Sequence, residues 1–355
     1  MNNVVAVDIG YGHCKGATRT ASGELLLHSF PSFSTLATSS SATAGLSQLS
    51  SLDILQVQVN NLQFVVGKDS THFLSHNLPR SRGEDFSMSE QYLALLKGML
   101  WYLGHETIDL LVVGLPLNTA RAFSAPLQKR LVGTHAVPNF RMGSRTSGSD
   151  DLMVKIKQVM VVGQPIGALT DALAYRPSLS KTAAIVLDMG FNTLDMLGMS
   201  DGKPQPQQAH AFTGGVASYI DEVSKSVTEW VRQTNPSIRT EFRISSHLYE
   251  KALRDRTPLK TSLGDIDLEP HRWSAEALLD QYMDLVDQQL GNQAEINLAV
   301  LAGGGARLIE PAFRRKFPLI KNIIISTDPQ FSIVKGFLML GHSVVTRPAS
   351  MHANA

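Results

Sequence analysis

The chain has 355 residues, enough for about two domains at roughly 150 residues each. Hydrophobic residues make up 43% and charged residues 18%, which excludes a disordered chain, and the formal net charge of +1 excludes a generic basic coat for nucleic acid. The single cysteine, Cys14, excludes an intramolecular disulfide and a Cys-rich zinc site and fits a reducing compartment.

Residues 4–7 form a β-branched apolar run broken by Asp8-Ile9-Gly10, which predicts a buried strand ending in a loop. A second strand is predicted over 24–30, after a turn at Ser22-Gly23. Residues 32–51 are rich in Ser, Thr, Ala and Gly and read as a solvated loop. Residues 57–59 and 63–66 flank Asn60-Asn61, a hairpin signal. Tyr92, Leu95, Leu96, Met99, Leu100 and Leu103 recur at helical spacing within 89–103. A buried strand over 108–114 ends at Leu115-Pro116, and a helix over 120–132 follows. One strand is predicted over 153–162, then a helix over 166–174 stopped by Pro177.

The second half restarts in the same way. The apolar run 182–187 ends in Asp188-Met189-Gly190, and the strand 194–199 turns at Ser200-Asp201-Gly202. Helices are predicted over 216–231, 244–254 and 275–290, the last two separated by a polar segment. The strand 298–302 runs into Gly303-Gly304-Gly305, a short strand covers 323–326, and a helix over 331–340 closes the pattern. Strands feeding loops and then helices predict α/β layers around a mostly buried sheet. The N-terminus shows no basic segment followed by an apolar one, and the run 331–345 is broken by Lys335 and His342. The expectation is a soluble cytoplasmic protein.

The chain repeats itself. Residues 6–18 read AVDIGYGHCKGAT and residues 186–198 read VLDMGFNTLDMLG. Each has an apolar strand, Asp-x-Gly, an aromatic residue and a turn into a returning strand. The two loops lie 180 residues apart, which predicts two related domains that each contribute one hairpin to a shared cleft. A Gly-rich turn offers backbone N–H groups to phosphate oxygens, and Gly10 and Gly12 permit close approach. Lys15 can neutralise a phosphate. Asp8 and Asp188 would repel phosphate alone but suit a hydrated Mg²⁺ between them. Asn192 and Thr193 add polar side chains. No Gly-x-x-x-x-Gly-Lys-Ser/Thr segment occurs, so this is not a Walker-type loop.

These motifs resemble those of the actin-like ATPase superfamily, which includes actin, chaperone ATPase domains and sugar kinases. Asp8-Ile9-Gly10-Tyr11-Gly12 with Lys15 is similar to its first phosphate loop, and 188–195 to its second. The segment 301–308, with Gly303, Gly304, Gly305 and Arg307, resembles the adenosine loop. The segment 163–168 resembles the first connecting segment, where the superfamily carries a water-positioning Gln or Glu; here that is Gln164. Gly214-Gly215 either turns the chain into a helix or lies in a loop near the nucleotide, and the resemblance favours the loop. Within the superfamily, Leu115-Pro116-Leu117 and the helix at 333–337 are similar to the ParM (StbA) plasmid-segregation group and related archaeal actin-like proteins. Many members carry Ser or Thr where this chain has Tyr11 and Gly12, so backbone N–H groups would replace one hydroxyl contact.

The resemblance implies the actin-like fold, two duplicated RNase-H-like α/β domains around a nucleotide cleft. Domain I would cover 1–167, with the helix of 328–355 returning to it, and domain II 168–327. It also implies a filament-forming ATPase that binds ATP with Mg²⁺ through Asp8 and Asp188, with Gln164 orienting the attacking water. Its partners would be itself, head to tail, and a DNA-binding adaptor on a plasmid centromere, with no direct nucleic-acid contact and no membrane. A small-molecule kinase or a non-polymerising chaperone-like ATPase on the same fold are the alternatives.

Other residues read more plainly. His13 and Cys14 are adjacent in a strand and point to opposite faces, which argues against a nucleophilic pair. His72 and His76 have helical spacing but no third metal ligand. Arg314-Arg315-Lys316 reads as a solvated helix end.

Overall fold

The computed structural model describes residues 2–36, 52–73, 83–138, 151–237 and 242–346, except for the side chains of 72 and 73. They form two compact units, Met1–Ser180 with Ser326–Ala355, and Lys181–Ile325.

The first unit begins with strands β1 (Val4–Ile9), β2 (His13–Arg19), β3 (Leu25–Pro31) and β4 (Thr35–Leu36). The hairpin β5 (Leu55–Val59) and β6 (Leu62–Val66) turns through Asn60 at φ 53°, a conformation Asn tolerates. Helix α1 (Glu90–Leu103) follows. The Ser89 hydroxyl accepts from the Tyr92 N–H at its start, and Gly104 ends it in the left-handed region at φ 70°. Then come β7 (Thr107–Ile108), β8 (Leu110–Leu115), α2 (Leu117–Leu131), β9 (Gly133–Val137), β10 (Leu152–Ile156), β11 (Val159–Gly163) and α3 (Gln164–Ala174).

The main sheet has the order β11-β8-β1-β2-β3. β1 is parallel to β8 and antiparallel to β2, so it is paired on both sides and every residue in it is buried. Strand alternation then sorts its side chains. Val5, Val7 and Ile9 join the core that contains Leu95, Leu96 and Met99 of α1. Asp8 belongs to the alternate set with Val4 and Ala6.

The single strand predicted over 153–162 is two strands. β10 pairs with β9 and β7, whereas β11 pairs with β8 in the main sheet. The chain changes partner at Lys157 and Gln158, where the Lys157 N–H donates to the Ile108 carbonyl and the Gln158 carbonyl accepts from the Leu111 N–H.

The second unit repeats the plan with β12 (Ala184–Met189), β13 (Thr193–Ser200) and β14 (Lys203–Thr213), then α4 (Val216–Thr234) and α5 (Ser246–Asp255). The short hairpin β15 (Leu259–Thr261) and β16 (Gly264–Ile266) occupies the segment expected to be merely polar. After it come α6 (Trp273–Leu290), β17 (Leu298–Ala302), α7 (Ala306–Lys316) and β18 (Asn322–Ile325). The sheet order is β14-β13-β12-β17-β18. β12 is again wholly buried, antiparallel to β13 and parallel to β17.

The last helix, α8 (Ser332–Thr346), packs in the first unit against α3, β1 and β8. Helix α3, which spans the boundary expected at 167 and 168, lies in that same unit. No helix among the described residues is long and apolar enough to cross a membrane.

Candidate functional site

The first hairpin turns between Ile9 and His13. The Gly10 N–H donates to the His13 carbonyl at 3.2 Å and closes the turn. Register sets Asp8 opposite Lys15, and the Lys15 ammonium donates to Asp8 Oδ2 at 3.0 Å. Gln164, at the start of α3, donates its amide Nε2 to Asp8 Oδ1 at 2.7 Å. Three of the residues expected at the site therefore meet, and each oxygen of a fully buried carboxylate has one donor.

The rest of the turn is braced from behind. The Ser32 hydroxyl donates to the Gly10 carbonyl at 2.5 Å, and the Ser32 N–H donates to the Gly12 carbonyl at 2.9 Å. The Tyr11 hydroxyl donates to the Gly83 carbonyl at 3.1 Å while its ring stacks on Phe86 at 5.2 Å. Tyr11 thus anchors the turn through its side chain. Cys14 faces the core with its Sγ 3.3 Å from Ser32 Oγ, and burial pushes its thiol up to about 12. That thiol is inert at neutral pH, which disposes of a Cys–His nucleophile.

The second hairpin has the same geometry. The Gly190 N–H donates to the Thr193 carbonyl at 2.9 Å, and register sets Asp188 opposite Asp195. Both carboxylates are buried. Asp195 was not among the expected site residues, although its spacing from Asp188 was visible in the repeat. Where the first hairpin faces a carboxylate with a cation, the second faces it with another carboxylate. The two amide atoms of the Asn192 side chain are buried and have no hydrogen-bond partner among the described residues. Such a group is costly unless a ligand or water satisfies it.

Gly214 and Gly215 support this turn. Both have positive φ, 117° and 143°. A Cβ on Gly215 would lie 2.7 Å from the Gly190 carbonyl oxygen and 2.9 Å from that of Phe191. The Gly214 N–H donates to the Asn192 carbonyl at 2.8 Å, and Val216 and Ala217 donate to the carbonyls of Gly190 and Phe191. The first N–H groups of α4 are thereby spent on the hairpin.

The triple glycine closes β17 onto the same strand end. Gly303 sits at φ 79°, and a Cβ there would collide with Asp188 Oδ1 and stand 2.5 Å from the Met189 carbonyl oxygen. Gly305 donates its N–H to that carbonyl at 3.0 Å, and a Cβ on it would strike the Met189 side chain. Gly304 is exposed, and a Cβ on it would meet nothing within 4 Å. The positions that require glycine are therefore 303 and 305, whereas 304 presents open backbone. Arg307 is exposed on the first turn of α7.

Each hairpin by itself offers hard carboxylate oxygens, the kind of donor Mg²⁺ takes. Each Asp8 oxygen keeps one lone pair, enough to accept from a metal-bound water, and on the other hairpin Asp188 and Asp195 stand opposite each other. Among the described residues, no three His, Cys, Asp or Glu side chains converge as a metal cage. His76 lies outside the described residues, as does the side chain of His72. Arg314, Arg315 and Lys316 are paired with Glu310, Asp280 and Asp284, so that basic run is a salt-bridged surface between α6 and α7.

Residues 6–167 match the family of actin-like protein N-terminal domains. No curated protein matches the sequence. Solved structures do match the fold. The archaeal actin homolog Ta0583 superposes with a TM-score of 0.74 at 18% identity, over 96% of this chain and 99% of its own, and a structure of it in complex with ADP gives 0.68. The apo pSK41 ParM protein gives 0.67 at 17% identity, over 97% of this chain and 98% of its own. ParM from a 15-stranded filament of Clostridium botulinum gives 0.73 at 18% identity, over 97% and 100%. The chain thus has the actin-like fold, and its residues 6–167 resemble an actin-like protein N-terminal domain.

Proposed function

We propose that the protein is an ATP hydrolase that assembles head to tail into filaments and segregates plasmid DNA through a DNA-binding adaptor. The observation that carries the reading is the Lys15–Asp8–Gln164 cluster on a glycine turn, matched by a second turn of the same register at Asp188. The similarity to ParM filaments and to an ADP-binding archaeal homolog supports it.

In this reading the N–H groups of the two turns bind the phosphates, with Lys15 as a point charge on them. Asn192 turns its buried amide onto a phosphate oxygen. Mg²⁺, when bound, would neutralise charge on the β- and γ-phosphates, held through water by Asp8 and Asp188. Gln164 holds a water in line with the terminal phosphate, and its contact to Asp8 fixes its direction. The open backbone at Gly304 admits the adenosine, and Arg307 beside it lines the same loop. A head-to-tail contact does not close on itself and so generates a filament.

The test is phosphate release beside ultracentrifugal pelleting, with and without ATP and Mg²⁺. ATP-dependent pelleting followed by phosphate release is expected. Turnover with no pelleted fraction at any protein concentration would overturn the filament; no turnover at all would overturn the hydrolase.

A further inference from the structure

Two polar side chains of helix α3 reach other elements. Gln164 at its first position reaches Asp8, and Asp171, about two turns on, reaches the ammonium of Lys335 on α8 at 3.5 Å. Between these points the two helices touch through glycine. A Cβ on Gly336 would collide with the Gly167 carbonyl, and one on Gly167 would stand 2.6 Å from the Ile333 carbonyl oxygen. The Phe337 ring of α8 fills the notch above Gly167, so the backbones approach closely and one side chain keys into the crossing.

Asp171 and Lys335 are both buried, among Ala168, Ala172, Ile333 and Val334 on their own helices. Burial pushes the Asp171 carboxyl above its ordinary value in spite of Lys335, and Asp171 Oδ1 makes no hydrogen bond among the described residues. Such a pair is a poor source of stability, because desolvation offsets the attraction and apolar residues often serve as well. What it adds to that packing is direction: the two charges meet at one alignment of the helices. Lys335 also donates to Ser326 Oγ at 3.2 Å, and Ser326 is the residue at which the chain returns to this unit.

We propose that Asp171 and Lys335 are positioning residues that, with Ser326, lock α3 in register along α8 and thereby hold the Gln164 amide on Asp8. The kinetic part of the inference rests on the hydrolase reading; the structural part does not.

The experiment compares wild type with Asp171→Asn, which keeps the shape, and with Asp171→Ala/Lys335→Met, which removes both charges. The Gln164 side-chain amide resonance, assigned by its loss in Gln164→Ala, reports the contact directly. In both variants its protons should exchange with water at least tenfold faster than in wild type. In steady state kcat should fall at least tenfold with KM within threefold. Should the double variant fail to fold, Asp171→Asn decides alone. Wild-type amide exchange in a folded variant overturns the latch, whatever the kinetics. A wild-type protein without turnover refutes the hydrolase and leaves the latch to be decided by amide exchange.

Discussion

The side-chain amide of Gln164 and the carboxylate of Asp8 are joined at 2.7 Å, across the junction of a helix start and a strand end. The residue expected to orient water is therefore itself oriented. Gln164→Ala should bind ATP normally and hydrolyse it roughly 10- to 1000-fold more slowly, the usual scale for positioning and electrostatic groups. Filaments should persist as phosphate release slows, as light scattering would record. Gln164→Glu should be worse than Ala for nucleotide affinity, because it sets a second negative charge beside Asp8. Equal affinities in the two variants, by fluorescent-nucleotide titration, would deny that contact its role.

Lys15→Met leaves Asp8 buried without its cation. Breaking a buried pair on one side typically costs about 3 kcal/mol or more. Urea unfolding should show the loss even without nucleotide, and Asp8→Asn combined with Lys15→Met should recover part of it. A single variant as stable as wild type would mean that water already screens the pair.

Asp188→Ala should slow turnover by at least about 100-fold while the circular dichroism spectrum stays that of the wild type. Loss of a charge-stabilising group at the reacting phosphates costs about 3 kcal/mol in the barrier. Unchanged phosphate release at saturating ATP and Mg²⁺ would remove Asp188 from the mechanism.

The adenosine-loop glycines separate into two kinds. Gly303→Ala should lower the melting temperature, because a Cβ strikes Asp188 at a positive φ. Gly304→Val should leave the fold intact and weaken nucleotide binding, because its Cβ enters open space where the ligand would lie. The reason is occlusion and not backbone strain, because Gly304, unlike Gly303, does not have a positive φ. Wild-type nucleotide affinity in Gly304→Val would mean that nothing approaches there.

Cys14 gives a pH signature. Its folded thiol is raised from 9.0 to about 12 by burial, so its contribution to stability is complete below pH 9 and is lost between pH 9 and 12. Against Cys14→Ala, the wild-type protein should lose stability more steeply over that window. Iodoacetamide should label native protein at pH 8 far more slowly than unfolded protein.

Much of the fold was legible because it is written in local patterns. The apolar run ending at Asp8, its repeat at Asp188, and the helical spacing from Tyr92 to Leu103 each specify an element without outside help. The Lys15–Asp8 contact follows from hairpin register alone. β14 was not legible, because Lys203-Pro204-Gln205-Pro206-Gln207-Gln208 has neither apolar alternation nor strand formers; β13 pairs with it regardless. The division between β10 and β11 depends on which neighbours the chain finds, and one continuous run of residues cannot show it. Asp171 and Lys335 look like surface charges on amphipathic helices until the Gly167–Gly336 crossing buries them. Asn192 was legible as a polar residue in a turn, but its lack of a partner is a property of the packed hairpin.

β14 is also the outermost strand of its sheet and the longest among the described residues, with 11 residues. A bare edge of that length is a template on which other chains can stack into cross-β aggregates. Pro204 and Pro206 delete two N–H donors from it, and the register shift opposite Leu197 and Gly198 leaves residues 206–208 of β14 out of the ladder. The composition that hides this strand from sequence reading also makes it a poor seed, so this flank is guarded against uncontrolled stacking of one chain on another.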